Sequence, residues 1–442
     1  MICLSHPRRS MFIVATALSL FLVYAFLRSS PGAYVEGLNV GYTQKVTDVS
    51  PPCRHIHGMD DILVVLKTGA TEALEKVPVH INTTLKCLPH YVVFSDYEEE
   101  IAGVRTYDVL RTVRKETKDT DSDFALYNRL QAQGRQGLLA DDWKDDVNGP
   151  LGKPGNPGWK LDKWKFVPML DEARLVKPDA KWYVFIEADS YVIWPNLAAW
   201  LSQLNHTQPY YLGSPMQIGD TTFAYGGSGI IISSEALYRV SKHRAEQPKE
   251  VEEITARNWA GDSVLGKVLH DVNVPLLWSW PLLLTARVWE FDHLAEGYGR
   301  KPWCYPAVSY HHMTIEDIQS MWQFEQHWFG SGEHILLLHR DVFRGLVFNS
   351  TLLGRDDWDN LSTEPALEGN DSDIITTVEC AQKCYRDPQC LQFSFENNKC
   401  KTSKTVFKGF SRQGILSGWM NSRIRALLST SDSCSEARYI LG

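Results

Sequence analysis

Two carboxylates follow a strongly apolar run at residues 182–186, where Glu187 and Asp189 flank Ala188. A run of this length predicts a buried strand, and side chains just past the end of such a strand lie at the mouth of an α/β sheet, where ligands bind. Carboxylate oxygens suit a hard divalent ion, Mg²⁺ or Mn²⁺, that bridges a diphosphate. An E-x-D pattern alone is more typical of a solvated turn than of a metal site.

Two later segments contain further residues of chemical interest. Gly226 and Gly227 precede the apolar run 230–232 and would let backbone approach a ligand closely, with Ser234 predicted to cap a short helix after them. Asp262 stands at a predicted helix start, where it is either a catalytic carboxylate or an ordinary N-cap.

The elements that must position these residues alternate between strands and helices. Short apolar runs at 62–66 and 91–94 predict two more buried strands of a mostly parallel sheet. Apolar residues recur every three positions over 161–170, although Pro168 predicts a kink or break there, and Pro195 opens another helix. The alternation predicts an α/β fold.

The N-terminal region predicts a membrane anchor. Residues 11–27 contain no charge and are preceded by Arg8 and Arg9, a pattern that favours a short cytosolic tail and a lumenal body over a cleaved signal peptide. Eight cysteines lie beyond this segment, an even number that fits disulfides, and Cys53 with Cys87 is one expected pair. Five N-x-S/T sequons agree with a lumenal location, at Asn82, Asn205, Asn349, Asn360 and Asn370.

Composition excludes some partners and divides the chain. A net charge of −8 without a basic stripe predicts that no nucleic acid is bound. The Gly-, Pro- and Asp-rich segment 134–158 is expected to be a lid or disordered. The predicted organisation is a cytosolic tail (1–10), an anchor (11–27), a stem (28–52), a catalytic domain (53–353), a linker (354–372) and a small disulfide-rich domain (373–442).

The order of four segments resembles the lumenal β1,3-glycosyltransferases of family 31, which include fringe and the core 1 β1,3-galactosyltransferases. The resemblance covers roughly residues 60–315. It consists of EADSYV in place of a D-D-D-T-Y-V-like motif, GGSGIII before a strand, Gly261–Asp262 through Gly266, and the VSYH of residues 308–311. It implies a GT-A (Rossmann-like) domain that uses Mn²⁺ or Mg²⁺ and a UDP-sugar.

The resemblance also implies roles for individual residues. Asp189 and His311 would bind the metal, with His312 as the alternative imidazole, and Asp262 would be the catalytic base. Glu187, Gly226, Gly227, Lys163 and Asp96 would lie around the donor, the last two with solvated or structural roles as alternatives. Glu187 and Ala188 depart from the family pattern, so either the missing carboxylate is dispensable or metal affinity is reduced.

The implied activity is inverting transfer of a sugar, foremost galactose, from a UDP-sugar to a glycan or glycoprotein acceptor in the Golgi or ER membrane. One alternative is a fringe-like N-acetylglucosaminyl or glucuronyl transferase, and another is a non-catalytic lumenal binding protein on a decayed transferase fold. The C-terminal cysteine pattern resembles a PAN or apple module of α+β type, which implies binding to protein or carbohydrate. Cys380, Cys384, Cys390 and Cys400 would pair in one of three ways.

Overall fold

The computed structural model describes residues 44–45, 55–143, 153, 155–351, 354–365, 376–431 and 434–442. The predicted anchor at 11–27 lies outside these residues. Among the helices that are described, none combines the length and apolar character needed to cross a bilayer.

A nine-stranded mixed sheet forms the centre of the larger domain, so the predicted α/β class is confirmed. Its strands are β1 (Gln44–Lys45), β2 (Ile62–Lys67), β3 (His90–Ser95), β4 (Glu99–Ile101), β5 (Val104–Asp108), β6 (Trp182–Glu187), β8 (Tyr211–Gly213), β11 (Ile230–Ser233) and β12 (Leu276–Trp278). The spatial order is β12-β8-β11-β6-β2-β3-β5-β4, with β1 pairing with β3. Because β2, β3, β5, β6, β8 and β12 run in one direction, their carboxyl ends share one edge.

Successive side chains of β2 point to opposite faces of the sheet, and both faces are covered. Leu63 and Val65 belong to one apolar cluster, whereas Ile62, Val64 and Leu66 belong to another on the opposite face. Each side chain is almost completely buried, which is why the run carries no polar residue until Lys67. The sheet is therefore the middle layer of three.

Helices cover both faces of the sheet and continue into the C-terminal part. They are α1 (Ala73–Asn82), α2 (Lys115–Thr120), α3 (Ala125–Gln133), α4 (Pro157–Asp162), α5 (Pro168–Val176), α6 (Trp194–Leu201), α7 (Ser234–Glu246), α8 (Pro248–Arg257), α9 (Gly261–Asp271), α10 (Ile315–Gly330), α11 (His339–Val342), α12 (Thr377–Arg386) and α13 (Asn421–Thr430). The predicted helix 161–170 is interrupted, and Pro168 starts a new helix in the position that tolerates its missing N–H. The cap of α7 is Ser233, since its side chain accepts from Ala236, so the predicted Ser234 cap is wrong by one residue.

The remaining strands form small sheets. Two pairs belong to the larger domain, β9 (Pro215–Ile218) with β10 (Thr221–Ala224) and β7 (Tyr191–Val192) with β13 (Ser309–Tyr310). The others are β14 (Trp358–Asp359), β15 (Glu364–Pro365), β16 (Gln392–Glu396), β17 (Lys399–Ser403), β18 (Phe410–Ser411) and β19 (Leu416–Trp419). β14 pairs with β18 and β15 with β17, so residues assigned to a linker contribute strands to the C-terminal part.

In the C-terminal part, α12 packs against the four-stranded sheet β15-β17-β16-β19, and α13 follows the strand β19. Of the three possible connectivities, the structure has Cys380–Cys400 and Cys384–Cys390. A third disulfide, Cys304–Cys434, ties the C-terminus to the larger domain. Cys87 is also disulfide-bonded, and its expected partner Cys53 lies outside the described residues.

The sequons differ in their environments. Asn82, Asn205 and Asn349 are exposed, and Asn370 lies outside the described residues. Asn360 is fully buried and donates its amide hydrogens to the carbonyls of Phe393 and Gly418. Its amide nitrogen is therefore inaccessible to glycosylation in the folded chain, and Asn360 serves as an internal connector between β14 and the C-terminal sheet.

The disulfide pairing predicts unequal contributions to stability. Cys304–Cys434 closes a loop with a sequence separation of 130, whereas Cys384–Cys390 closes one of 6. In the chain-entropy treatment these loops contribute about 5 and about 2 kcal/mol respectively. Replacing Cys304 and Cys434 by serine should lower the denaturation midpoint more than the same change at Cys384 and Cys390, measured by thermal or urea unfolding. The reverse ranking would contradict this account.

Candidate active site

The carboxyl end of β6 brings Glu187 and Asp189 to the same edge of the sheet. Glu187 is the last residue of the strand, and the Ser190 N–H closes a turn onto the Glu187 carbonyl at 3.0 Å. Ala188, between them, is 2% exposed and belongs to the apolar cluster beneath the sheet. A carboxylate at position 188 would point into that cluster, so its absence removes no group from the cleft.

A short antiparallel ladder brings the histidines to Asp189. Tyr310 pairs with Tyr191 in the β13–β7 register, and the Met313 N–H donates to the Asp189 carbonyl at 2.8 Å. His311 Nε2 consequently lies 3.1 Å from Asp189 Oδ1 and 3.9 Å from Glu187 Oε2. Two positions separated by more than a hundred residues thus converge at one point.

His312 joins the same group through an uncommon backbone conformation. Adjacent side chains of a strand normally point to opposite faces, but His312 has φ 56°. This backbone conformation places the His312 ring beside the His311 ring, with centroids 3.8 Å apart. It also places His312 Nδ1 3.9 Å from Asp189 Oδ2. The sequence left the choice between the two imidazoles open, and the structure brings both to Asp189.

Burial and charge act against each other in this group. Burial disfavours ionisation of Asp189, but the His311 hydrogen bond and charge hold the pKa of that carboxyl well below its usual range. Burial alone would lower the pKa of His311. The hydrogen bond with Asp189 and the charge of that carboxylate outweigh burial, so the pKa of His311 is raised. Burial and the neighbouring His311 lower the pKa of His312 to about 4.

The donor set fits a divalent ion. Asp189, His311 and His312 each offer one oxygen or nitrogen atom, and these atoms lie within 4.8 Å of one another. Imidazole and carboxylate together suit first-row ions such as Mn²⁺. Asp189 and His311 are the two residues expected to hold such an ion, and His312 would complete a three-residue set.

The glycine segment packs directly against these side chains. A Cβ on Gly227 would lie 2.1 Å from His311 Nε2, and one on Gly226 would lie 2.7 Å from Glu187 Oε1. The Gly227 carbonyl accepts a hydrogen bond from the Ser190 hydroxyl at 2.7 Å. Both residues must therefore be glycine for the imidazole and carboxylates to occupy their positions.

Asp262 faces the same cleft from the first turn of α9. Its Oδ2 accepts from the Gly226 N–H at 3.0 Å, and its Oδ1 accepts from the Ser263 N–H at 2.9 Å. Burial and the Glu187 charge raise the pKa of Asp262 to about 6, with these two hydrogen bonds opposing the shift. The carboxylate is therefore fixed in orientation and is more basic than an ordinary aspartate.

Two adjoining hollows form the cleft, with volumes of about 350 and 420 Å³. Trp159, Asp162 and Glu187 line both of them. Asp262 and Gly227 line the first, whose indole rings Trp159 and Trp259 lie 5.9 Å apart in a stacked arrangement. The combined space is of the size that a nucleotide-sized ligand requires.

Lys163 and Asp96 lie at the cleft but already have protein partners. The Lys163 ammonium contacts Asp123 at 2.8 Å and the Asn258 carbonyl at 2.9 Å. Asp96 is 1% exposed, accepts from the Ala70 N–H at 2.8 Å and pairs with Lys165. Their predicted contacts with a donor stay predictions.

Sequence reasoning missed two lysines. Lys67 ends β2 and contacts both Asp162 and, at 3.2 Å, Glu187. Lys165 lies 2.9 Å from Asp96 and 3.3 Å from Asp162. A signal existed for Lys67, because a lysine that ends a strand otherwise made of apolar residues lies at the ligand-binding edge of the sheet.

The sequence model of the Fringe-like family matches residues 57–286. The chain belongs to the Fringe-like family. This confirms the resemblance noted from the motifs, and the chain is accordingly a glycosyltransferase. The match contains Glu187, Asp189, Gly226, Gly227 and Asp262, whereas the two histidines lie beyond it. No curated protein matches the sequence.

Replacement of Gly227 by alanine tests the packing of this site. The new methyl group would overlap the His311 ring, so the imidazole must move away from Asp189. Misplaced ligands typically reduce metal affinity by about 10- to 100-fold. Titration of the full-length Fringe-like protein with Mn²⁺ measures this loss. Gly330→Ala, where no atom lies within 4 Å of the new Cβ, is the matched control. Equal affinity of both variants would contradict the assignment of this position.

Proposed function

We propose that this Fringe-like protein is an inverting, metal-dependent β1,3-glycosyltransferase. It transfers a sugar, foremost galactose, from a UDP-sugar to a hydroxyl of a glycan or glycoprotein acceptor. The observation that carries the proposal is that Asp262 and Glu187 line one hollow, and that Glu187 Oε2 lies 3.9 Å from His311, which contacts Asp189. A fixed base close to a group of metal-ligating side chains provides the two parts that inverting transfer requires.

Asp262 acts as the general base. Its orientation is set by the Gly226 N–H, and its raised pKa makes it a better proton acceptor near neutral pH than an ordinary aspartate. The acceptor hydroxyl gives its proton to Asp262 while its oxygen bonds to the anomeric carbon. The bond from that carbon to the UDP oxygen breaks on the opposite face, and its electron pair leaves with the diphosphate.

Asp189 and His311, with His312, would hold the cation. When bound, Mn²⁺ or Mg²⁺ supplies Lewis-acid stabilisation of the charge that develops on the leaving group. Lys67 forms ion pairs with Glu187 and Asp162 and so compensates their negative charge. Without this lysine, the two carboxylates would repel a diphosphate more strongly. Trp159 and Trp259 exclude water from one wall of the cleft.

The remaining assignments are part of the same proposal. A single-pass type II anchor at 11–27 and a stem at 28–52 would place the catalytic domain in the Golgi or ER lumen, where disulfides persist. The C-terminal part is proposed to be a PAN or apple-like module that binds protein or carbohydrate. A fringe-like N-acetylglucosaminyl or glucuronyl transferase would differ only in the donor sugar.

A donor screen tests the function. The full-length chain, with and without Mn²⁺, is incubated with UDP-galactose, UDP-N-acetylglucosamine and UDP-glucuronic acid, and release of UDP is measured. We expect Mn²⁺-dependent release, highest with UDP-galactose and increased by acceptor glycans. A protein that binds all three donors and releases UDP from none is the non-catalytic alternative.

Asp262→Asn separates catalysis from donor binding in the same screen. Loss of the base should reduce transfer by about 10²- to 10⁴-fold, while UDP affinity stays close to that of the wild type. Asp271→Asn, at the other end of α9 and paired with Lys267, is the matched control and should retain full activity. Near-normal turnover of Asp262→Asn would remove the base assignment.

The pH dependence of transfer follows from the same carboxyl group. Because only ionised Asp262 accepts a proton, and its pKa is raised to about 6, kcat/KM should rise with pH, reach half its maximum near pH 6 and level off above pH 7. Glu187 and Lys67 face this carboxyl with opposite effects on its pKa. Initial rates at saturating Mn²⁺ between pH 5 and 8 measure the profile. A flat profile between pH 5 and 7 would exclude this group as the base.

A further inference from the structure

Three aromatic side chains form a cluster beside the catalytic cleft that no proposed catalytic step uses. Tyr298 contacts Trp278 and Trp280 edge to face, with ring centroids 5.5 and 5.6 Å apart. Trp278 is 43% exposed and Tyr298 is 58% exposed, although large aromatic rings are normally buried. We name this group, Trp278, Trp280 and Tyr298, the aromatic platform.

The platform is held in place by its own hydrogen bonds. Arg300 donates from one guanidinium nitrogen to the carbonyls of Trp278 and Trp280 at 2.9 and 2.7 Å. The backbones of Gly297 and Arg300 exchange two hydrogen bonds, each of 2.9 Å, which close the turn that carries Tyr298. Gly297 lies against the Trp280 indole so closely that a Cβ would come within 2.9 Å of it.

The backbone of Tyr298 is also in an unfavourable conformation. Its φ is 49°, a left-handed value that is uncommon for a bulky residue. Such conformations persist where the surroundings impose them, and they concentrate at ligand-binding sites. The turn therefore presents an exposed ring in a fixed position, at a conformational cost that no core packing of that ring explains.

The register of the sheet places the platform next to the cleft. Trp278 ends β12 and pairs with Gly213, the last residue of β8. The adjacent Ser214 accepts a hydrogen bond from the Tyr225 N–H at 2.9 Å, and Tyr225 lines the hollow that contains Asp262. Met216, from the hairpin that follows β8, is part of the same hollow. The platform thus continues the cleft along the carboxyl edge of the sheet.

We propose that the aromatic platform is an acceptor subsite that binds a pyranose ring of the glycan next to the one that receives the sugar. This inference rests on the proposed function. Aromatic faces offer a flat apolar surface for the C–H groups of a sugar, and exposed Glu296 and Lys301 flank the turn with groups that can bond hydroxyls. Two exposed rings fall far short of the roughly 800 Å² per partner of a stable protein interface, but they match one or two sugar rings.

The test removes the two exposed rings together. Trp278→Ala/Tyr298→Ala should raise the acceptor KM by roughly 5- to 30-fold, the range expected when aromatic anchors worth about 1 to 2 kcal/mol are truncated. The kcat and the donor-only release of UDP should stay unchanged. Trp278→Phe/Tyr298→Phe should restore most of the affinity, and Tyr238→Ala, an exposed aromatic on α7 of the larger domain, is the control.

A binding measurement on the full-length chain does not depend on turnover. Saturation-transfer NMR with methyl β-galactoside and methyl α-N-acetylgalactosaminide should show sugar-ring signals with the wild type and with Tyr238→Ala. These signals should fall at least fivefold with the double alanine variant. Equal signals in all variants, or none with the wild type, would overturn the subsite. Absence of UDP release by the wild type would instead count against the proposed function, while the NMR result would still decide whether the platform binds sugar.

Discussion

The contact between Asp189 and His311 is the constraint on which the rest of the site depends. It exists because the two-residue ladder of Tyr191 with Tyr310 joins the turn after β6 to a segment more than a hundred residues later. Each neighbouring feature serves to keep that contact. The glycines give the imidazole its space, and the carbonyl of Asp189 holds the chain just after His312. A change in any of these would be transmitted to the same pair of atoms.

Negative charge in the cleft is balanced within the protein before any cation arrives. Asp162 and Glu187 share the Lys67 ammonium, and Lys165 joins Asp162 to Asp96. Such buried pairs are costly to break, because the remaining charge would be left in a low-dielectric environment. Glu187, the longer side chain that departs from the family pattern, reaches Lys67 as well as His311. Glu187 thus connects this charge network to His311.

The sequence predicted the strands well because their burial on both faces requires uninterrupted apolar runs, as at 62–66 and 182–186. It predicted Asp189, His311 and Asp262 because their motifs occur in a fixed order. It preferred His311 to His312 from the family resemblance, but it could not predict that both rings lie near Asp189, since this depends on φ at position 312, which no residue type dictates. It also missed Lys165, because Asp96, the closer of its two carboxylate partners, becomes a neighbour only through tertiary packing.

The C-terminal part contacts the segment that supports His311. Lys408 lies 3.7 Å above the Trp289 ring, and the Gly409 N–H donates to the Trp289 carbonyl. Three residues earlier, the Ala286 carbonyl accepts from the His311 N–H. Displacement of this part would thus act on the backbone that supports His311. A module that also bound a glycan or protein partner would be placed to influence the catalytic cleft through residues 286–289, without touching the substrate itself.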